Sequence, residues 1–442
     1  MLFRDLVTRQ LNLEITLEKL LKVVIENAGA QRCCLILEKN RQWVIEAEST
    51  SDNLIFLQAL ALDGQVPVTL IDYVVHTKKS VVLMDALKEG QFTRDPYILA
   101  HDIHSVLCFP LLNQGQLLGL LYLENNLTKG AFTADRLEIL NLLSSQIVIS
   151  IENARFYSHA DRFVPKEFLS LLDKKSFVDT KLGDQVEKEM TVLFSDLRGF
   201  TTLSETMTPK QNFDFINAYL SQMDPVIHQH HGFIDKYIGD AIMALFPRCA
   251  DDAVAGSIAM LKRLAEYNQE RSGLPPIAIG IGLNTGLLML GMVGGKNRME
   301  GTVIADAVNL ASRMEGITKI YGAKLLISER TYSSLRDPSH YAIRPVDIVK
   351  VKGRDQAPVK IYEVFAGDNP EIMELKQQTL AIFKAGLAYY YQKDFAHAKA
   401  CFQKMLTTFK ADVVAQIYLE RCERYQQGVP ENWDGVEVLK SK

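Results

Sequence analysis

Two short apolar runs in the middle of the chain each lead to an aspartate. Met190–Phe194 is rich in strand-forming residues and is followed by Asp196, which predicts a buried strand with a carboxylate at its carboxyl end. Phe233–Phe246 predicts a hairpin whose strands meet at Gly239-Asp240, because glycine readily adopts the positive φ of a tight turn. Two fixed carboxylates suit a hard cation such as Mg²⁺ or Mn²⁺, although most aspartates at such places only cap the backbone.

Helical and strand-like patterns alternate around these two aspartates. Thr208 and Pro209 predict the N-cap and first residue of a helix. Its buried stripe is expected at Phe213, Ile216, Leu220, Met223 and Ile227. Further helices are expected over Asp252–Glu270 and Asp306–Ile320, and strands over Ile277–Asn284, Leu287–Val293, Lys324–Ser328, Tyr341–Lys352 and Val359–Phe365. Helices interleaved with hairpins predict an α+β fold, an antiparallel sheet with helices on one face.

The first part of the chain shows the order helix, strands, variable middle, hairpin and helix. Strands are predicted at Cys33–Leu37 and Trp43–Ala47, a hairpin over Val106–Leu123, and a closing helix from Ala134. Residues in the closing helix are spaced alternately by three and four positions: Leu137, Leu140, Ser144, Ile147, Ile151 and Ala154. This spacing predicts a coiled-coil seam or, alternatively, a face that lies on its own domain.

Two further segments complete the chain. Residues 158–188 are predicted to be a polar linker with one short helix at Lys166–Leu172. Residues 370–442 are predicted to be helical, and Leu387–Tyr391, Phe395–Phe402 and Val413–Tyr425 resemble tetratricopeptide helices. Such repeats need about three stacked copies to be stable, so this tail is expected to pack on the preceding domain or on a second copy of the chain.

Composition and charge narrow the functional classes. The chain has 442 residues, enough for roughly two to four domains. Its net charge of −4, without a basic block, gives no indication of nucleic-acid binding. The six cysteines show no CxxC spacing, which is typical of a reducing compartment. No apolar run approaches the roughly 18–20 residues of a membrane span, and no signal-peptide pattern begins the sequence, so we expect a cytoplasmic protein.

Three longer motifs, FSDLRGFTTLSE, DKYIGDAIMALF and GTVIADAVNLASRMEGIT, together resemble the class III nucleotidyl cyclases in order and spacing. The resemblance covers about Met190–Val364 and implies a catalytic domain over residues 189–366 with a ferredoxin-like βαββαβ core and extra strands. The sequence departs from the family at Gly301, where an aromatic residue is usual, and at Ala305, where glycine is common. Neither departure removes a catalytic group.

The resemblance implies a metal site and a set of groups around the sugar and phosphates. Asp196 and Asp240, helped by the backbone carbonyl of Leu197, would hold two Mg²⁺ or Mn²⁺ ions. Asn309 would orient the ribose, and Arg313 would stabilise the charge that builds at the α-phosphate. Asn309 and Arg313 lie four apart on one predicted helix, a spacing that alone would indicate no more than a surface patch. The implied triphosphate contacts are Lys352 and, more weakly, Arg298.

A lysine and a threonine match the positions that contact the purine in these cyclases. The Lys236 ammonium donates hydrogen bonds and suits the acceptor N1 of adenine, whereas guanine carries a hydrogen there. The hydroxyl of Thr302 can accept from the adenine amino group. The implied activity is an adenylate cyclase that converts ATP to cyclic AMP and pyrophosphate. The alternatives are a guanylate cyclase and a catalytically silent nucleotide-binding scaffold. The lysine–threonine pair also resembles the bicarbonate-responsive subgroup, which implies bicarbonate as an activator.

The family geometry implies a homodimer. In these cyclases the metal carboxylates come from one protomer, and the positions matched by Lys236, Thr302, Asn309 and Arg313 come from the other. This single chain carries both sets, so two copies should assemble head to tail around two equivalent sites.

The first part of the chain resembles a GAF domain. The phrases HSVLCFPLLNQGQLLGLLYLEN and FTADRLEILNLLSSQIVISIENARFY carry this resemblance over about Leu13–Tyr157, which predicts a regulatory domain at residues 1–157. GAF domains often bind a small molecule between the sheet and its helices, but Arg136 stands where the cyclic-nucleotide signature has an acid. Cys108 lies in an apolar strand and is expected to be a core residue. A dimerising, signal-coupling module without a ligand is therefore the favoured interpretation, and a small-molecule ligand is the alternative.

Overall fold

The computed structural model describes residues 17, 19–50, 54–160, 164–271, 273–295, 298–351 and 358–439. The chain forms two compact units, Met1–Phe163 and Val164–Lys442. None of the helices in these described ranges is both long and apolar enough to cross a lipid bilayer.

The first unit is a six-stranded antiparallel sheet with helices on both faces. Its elements are α1 (residues 19–28), β1 (Arg32–Lys39), β2 (Gln42–Thr50), β3 (Leu54–Ala61), α2 (Val68–Thr77), β4 (Val81–Leu83), α3 (Pro96–Ala100), β5 (Ser105–Asn113), β6 (Gln116–Asn125) and α4 (Ala134–Ala160). The strand order is β3-β2-β1-β6-β5-β4. Residues of α1 and α4 share one buried core with the sheet, and residues of α2 and α3 share the other. The predicted order of elements is confirmed, and β3, α2, β4 and α3 occupy the variable middle.

Helix α4 has an inner and an outer apolar face. The inner face contains the predicted stripe, because Leu140, Ile147 and Ile151 are buried in the core of the unit. The predicted residues therefore form a face that lies on its own domain. On the outer face, Leu142 is 73% exposed and Ile149, seven residues later, is 49% exposed.

The second unit is built on a larger sheet. Its elements up to the second hairpin are α5 (Lys166–Leu171), β7 (Gln185–Leu197), α6 (Phe200–Glu205), α7 (Pro209–Gln229), β8 (Phe233–Ile238), β9 (Ala241–Phe246), α8 (Ala250–Glu270), β10 (Ile279–Gly295) and β11 (Arg298–Ile304). The remaining elements are α9 (Asp306–Tyr321), β12 (Leu325–Ser328), α10 (Glu329–Ser333), β13 (Ile343–Val351), β14 (Val359–Val364), α11 (Pro370–Tyr391), α12 (Phe395–Thr408), α13 (Val413–Gln427) and β15 (Glu437–Leu439).

Strand order confirms the ferredoxin-like core. The sheet runs β15-β13-β14-β12-β10-β7-β9-β8, with β11 paired to β10. Strands β10-β7-β9-β8, together with α7 and α8, have the order expected of βαββαβ. The sequence pattern wrongly divided β10 into two strands. It continues through Thr285 and Gly286, because these residues pair with Thr191 and Met190 of β7.

The helices of this unit cover both faces of the sheet, so the expectation of helices on one face was wrong. Along β10, Ile281 and Leu283 lie in the core formed with α7 and α8. Gly282 points the other way, where an added Cβ would lie 2.1 Å from the backbone nitrogen of Glu315 on α9. Helical periodicity shows that a helix has an apolar face but not which side of the sheet receives it. Phe213 was also misplaced, since it is 71% exposed on α7.

The C-terminal helices pack on the sheet of the second unit through buried charges. Nε of Arg344 on β13 lies 2.6 Å from Oε2 of Glu363 on β14, and its Nη1 lies 2.5 Å from Oδ2 of Asp412, the N-cap residue of α13. These three side chains are at most 2% exposed. The tail was expected to pack on the preceding domain or on a second copy, and the first alternative is confirmed. Its likeness to tetratricopeptide helices stays a prediction.

The close approach of α9 to β10 can be tested with two glycines. Gly282→Ala should destabilise the chain by about 1–3 kcal/mol or more, because the new methyl group meets the backbone of α9 rather than a movable side chain. Gly316→Ala, in the same helix but facing open space, should stabilise it by about 0.5–1 kcal/mol. Urea unfolding of the two variants measures both effects, and a neutral Gly282→Ala would contradict the packing described.

Candidate active site

Asp196 and Asp240 meet at one end of the sheet. Asp196 lies near the end of β7, and Asp240 follows Gly239 in the β8–β9 turn, where Gly239 has φ +66°. Because β7 pairs with β9, with Ser195 opposite Ile242, the two carboxylates come into hydrogen-bond contact. Burial, this hydrogen bond and the charge of Asp196 raise the pKa of Asp240 to about 6.

The residues at this place fit a divalent cation. Two carboxylates in contact repel each other when both are ionised, and a hard cation with oxygen ligands removes that repulsion. In the described ranges, no cluster of three or more His, Cys, Asp or Glu side chains is arranged so that it could hold a metal ion. A cation held by Asp196 and Asp240 would therefore take further ligands from the Leu197 carbonyl, water or substrate phosphates.

Three side chains next to the carboxylate pair were not predicted from the sequence. Lys319 Nζ of α9 lies 3.9 Å from Asp196 Oδ2. Arg198 Nη1 lies 3.3 Å from Glu315 Oε1, so the loop after β7 is joined to α9. Burial raises the pKa of Glu315 to about 7, against the opposing effect of Arg198. Glu315 lies inside one of the three recognised motifs, but its spacing alone assigns it no partner.

The predicted purine pair is assembled. Nζ of Lys236 on β8 donates to Thr302 Oγ1 of β11 at 2.8 Å, and it also donates to Glu300 Oε1 at 3.0 Å. Asp235, at a bulge in β8, places a nearly fully buried Oδ2 3.7 Å from the same ammonium. Burial raises the pKa of Asp235 to about 6, and Lys236 opposes that rise. Sequence reasoning found Lys236 and Thr302 but missed both acids.

The predicted ribose and α-phosphate contacts, Asn309 and Arg313, both lie on α9. Asn309 is exposed on α9 and Arg313 is half-buried on the same helix. In the part of the chain that the structure describes, neither side chain has a hydrogen bond or an ion pair. Arg298, 87% exposed at the start of β11, lies 3.7 Å from Glu300 Oε2. Lys352 lies outside the described residues.

A cavity of about 430 Å³ opens beside the start of α9. Ala307 and Leu310 line it from the helix, and Arg330 of α10 and Val359 of β14 line it from the sheet side. Because Asn309 lies between Ala307 and Leu310 in sequence, the cavity borders the segment that carries the predicted ribose contact.

In the first unit, the face of the sheet under α2 and α3 holds a network of polar side chains. Arg32 Nε donates to Glu48 Oε1 at 2.8 Å, and Arg32 Nη1 donates to the hydroxyl oxygen of Tyr97 at 2.7 Å. The Tyr97 hydroxyl in turn donates to Glu124 at 3.2 Å. Cys108 is fully buried, as expected of a core residue, and burial raises its pKa.

Comparison with known families identifies both units. The family model described as the adenylate and guanylate cyclase catalytic domain matches residues 183–365, and that of the GAF domain matches residues 12–151. The chain therefore carries a GAF domain and a class III nucleotidyl cyclase domain. The family description includes both adenylate and guanylate cyclases, so the match alone leaves the purine open.

Relatives of the cyclase domain include enzymes from bacteria and from a slime mould. The chain is 43% identical over 236 residues to an adenylate cyclase of Anabaena cylindrica, covering 51% of this chain and 47% of that one. It is 38% identical over 267 residues to the terminal-differentiation specific adenylate cyclase of Dictyostelium discoideum, covering 59% and 12%. The solved adenylyl cyclase CyaB of P. aeruginosa is 36% identical, with a TM-score of 0.37, covering 41% of this chain and 95% of that chain. The chain thus spans about half, or much less, of the two curated relatives.

Because the two carboxylates of the cyclase domain repel each other, we expect that removing one of them stabilises the fold. At pH 7.5 without metal, Asp240→Asn should melt a few degrees above the wild type, because it removes a carboxylate whose pKa is raised by burial and by Asp196. An acid with a raised folded-state pKa destabilises the fold above that pKa, so the difference should begin to shrink near pH 6 and close toward the ordinary aspartate pKa of 3.8.

Metal provides the second half of this test. Mn²⁺ should raise the melting temperature of the wild type, because it binds the folded state alone, and should not raise that of Asp240→Asn. Asp214→Asn, at an exposed position on α7, is the matched control and should behave as the wild type in both respects. An Asp240→Asn variant that is still stabilised by Mn²⁺ would contradict a role for this carboxylate in metal binding.

Proposed function

We propose that this chain is an adenylate cyclase that converts ATP to 3′,5′-cyclic AMP and pyrophosphate. The observation that carries the proposal is the hydrogen bond of 2.8 Å between Lys236 and Thr302. It places a donor and an acceptor side by side, the complement of adenine N1 and its amino group. Guanine presents an N1 hydrogen to the same lysine, and an unpaired or mismatched buried polar group costs about 1–3 kcal/mol.

The remaining residues divide between metal binding and stabilisation of the transition state. Divalent cations, when bound at Asp196 and Asp240, supply activation of the ribose 3′-hydroxyl and neutralisation of the triphosphate. Asn309 orients the ribose. Arg313 stabilises the negative charge that develops at the α-phosphate. Within the described residues Arg313 has no ion-pair partner, so no existing ion pair must break before it binds the phosphate. The proposed triphosphate contacts are Lys352 and Arg298.

Two copies of the chain form the active sites. The carboxylate pair and the Asn309–Arg313 pair share no direct contact within the described part of one protomer, which supports sites completed by a second copy. Large apolar side chains also remain exposed on the β8–β9 and β10–β11 hairpins: Tyr237, Ile238, Leu287, Met299 and Ile304. We propose that the dimer interface covers these side chains, since exposed apolar patches often mark protein interfaces. The proposed assembly is a head-to-tail homodimer with two equivalent sites.

The GAF domain is proposed to regulate this activity. The exposed outer face of α4, with Leu142 and Ile149 at heptad spacing, would be covered if two copies of the helix pair in the dimer. A small-molecule GAF ligand and activation by bicarbonate remain predictions from the sequence. The alternatives to adenylate cyclase are a guanylate cyclase, with GTP as substrate, and a silent scaffold that binds nucleotide without turnover.

Nucleotide assays separate these functions and test the purine pair. With Mn²⁺, the wild type should form cyclic AMP from ATP much faster than cyclic GMP from GTP. Thr302→Val should lower kcat/KM for ATP about tenfold to a hundredfold by removing the hydroxyl acceptor, whereas Thr302→Ser should stay close to the wild type. Faster turnover of GTP would favour the guanylate cyclase, and nucleotide binding without either product would favour the scaffold.

Complementation tests the shared sites. Asp196→Ala and Arg313→Ala homodimers should each lose at least about a hundredfold in kcat, because each lacks a required group at both sites. In a mixture, hybrid dimers contain one site with both groups intact, so activity should return toward about half the wild-type value per hybrid dimer. A mixture as inactive as its components would place the whole site within one chain.

A further inference from the structure

The last residue of α9 is tied to the sheet by a buried hydrogen bond. The hydroxyl of Tyr321 donates to Oδ2 of Asp347 on β13 at 2.6 Å. Tyr321 is 1% exposed and Asp347 is 2% exposed. Arg313 lies eight residues earlier, about two turns along the same helix. Because a helix is rigid over two turns, a displacement of the end of α9 also displaces Arg313.

The C-terminal tail holds the same carboxylate from the other side. Arg421 Nη1 of α13 lies 2.7 Å from Asp347 Oδ2. The Tyr418 hydroxyl, also on α13, lies 3.1 Å from Asp347 Oδ1 and 2.9 Å from the carbonyl oxygen of Val346. One buried carboxylate thus joins α9 to α13, and these donors satisfy it, because a buried charge without hydrogen bonds is costly.

A second contact connects the same two helices. Gly322 ends α9 in the left-handed conformation, with φ +61°. A Cβ at this position would lie 2.8 Å from Cγ2 of Val413, the first residue of α13. The start of α13 therefore abuts the end of α9, so α9 cannot move toward the tail without displacing α13.

We propose that α13 is a clamp on α9, and that Tyr321, Tyr418 and Arg421 are positioning residues for the cyclase reaction. They act through Asp347 and α9 to hold Arg313 at the place where charge develops. This inference rests on the proposed function, because it uses the role assigned there to Arg313. Its consequence is that the tail controls turnover: a shift of α13 changes kcat without any contact to the nucleotide.

The experiment compares tyrosines that share one core. Tyr321→Phe and Tyr418→Phe, made in the full chain, each remove one hydroxyl from the Asp347 network and create no cavity. Tyr390→Phe is the matched control, because the Tyr390 hydroxyl is buried in the same core and has no hydrogen-bond partner in the described residues. Steady-state kinetics with ATP and thermal melting are measured for all three variants and the wild type.

The clamp predicts that kcat falls about tenfold in Tyr321→Phe and Tyr418→Phe, because small misplacements of a catalytic group strongly reduce rate. KM for ATP should remain within about twofold of the wild type, since Arg313 acts on charge that develops after binding. The double variant should be no slower than the slower single variant, because both changes loosen the same carboxylate. Tyr390→Phe should keep the wild-type kcat.

The outcomes separate this inference from the proposed function. A wild type that forms no cyclic AMP overturns the proposed function and the clamp with it. An active wild type with unchanged kcat in Tyr321→Phe and Tyr418→Phe overturns the clamp alone. So does a loss of kcat that merely follows the fraction of unfolded protein at the assay temperature. Should Tyr418→Phe fail to fold, Arg421→Lys, which keeps the charge but alters its reach, replaces it, and an unchanged kcat there counts equally against the clamp.

Discussion

The contact between Asp196 and Asp240 is the constraint on which the catalytic unit depends. Two carboxylates in hydrogen-bond contact are unfavourable neighbours when both are ionised, and burial together with this contact raises the pKa of Asp240. The contact persists because the sheet fixes both backbones: β7 pairs with β10 on one side and with β9 on the other. On a surface loop, the same two carboxylates would move apart. The central strands therefore keep two acids where a divalent cation can join them.

Strands β7 and β10 also determine where α9 lies. Gly282 allows α9 to approach β10 so closely that its backbone would clash with any side chain larger than hydrogen. At that distance Arg198 reaches Glu315, and Lys319 comes within 3.9 Å of Asp196. The helix that carries Arg313 is thus fixed against the strand that carries Asp196. Close backbone packing, rather than a separate binding loop, sets the spacing of these groups.

Local sequence patterns predicted what depends on near neighbours. The β8–β9 hairpin and the helix that begins after Thr208 are both found in the structure. The pairing of Lys236 with Thr302, 66 residues apart, came instead from the resemblance to the cyclases. The misses involve distant partners. Continuity of β10 depends on pairing with β7, about a hundred residues earlier, and the role of Glu315 depends on Arg198. A glutamate in a helix has the same local pattern whether it faces water or a buried arginine.

Helix α4 also shows that a local pattern does not identify the packing partner. Alternating steps of three and four residues identified an apolar stripe correctly but could not say what covered it, and the inner residues proved to be core. The tail differs again, because its charges pair with residues that lie far apart in sequence: Arg344 with Asp412 and Asp347 with Arg421. Ion pairs of this kind leave no periodic signal, since each partner alone resembles an ordinary surface charge.

Helix α9 is therefore held along its C-terminal half by contacts within its own protomer. Lys319 lies near Asp196, Glu315 contacts Arg198 in the loop after β7, and Tyr321 connects the helix to the tail through Asp347. In the proposed dimer, the Arg313 of this helix serves one site while the Asp196 beside it serves the other. A displacement of α9 would then act on both sites together, because packed helices move as rigid bodies rather than bending locally. Regulation of such an enzyme needs no separate route to each site: one shift at α9 reaches both.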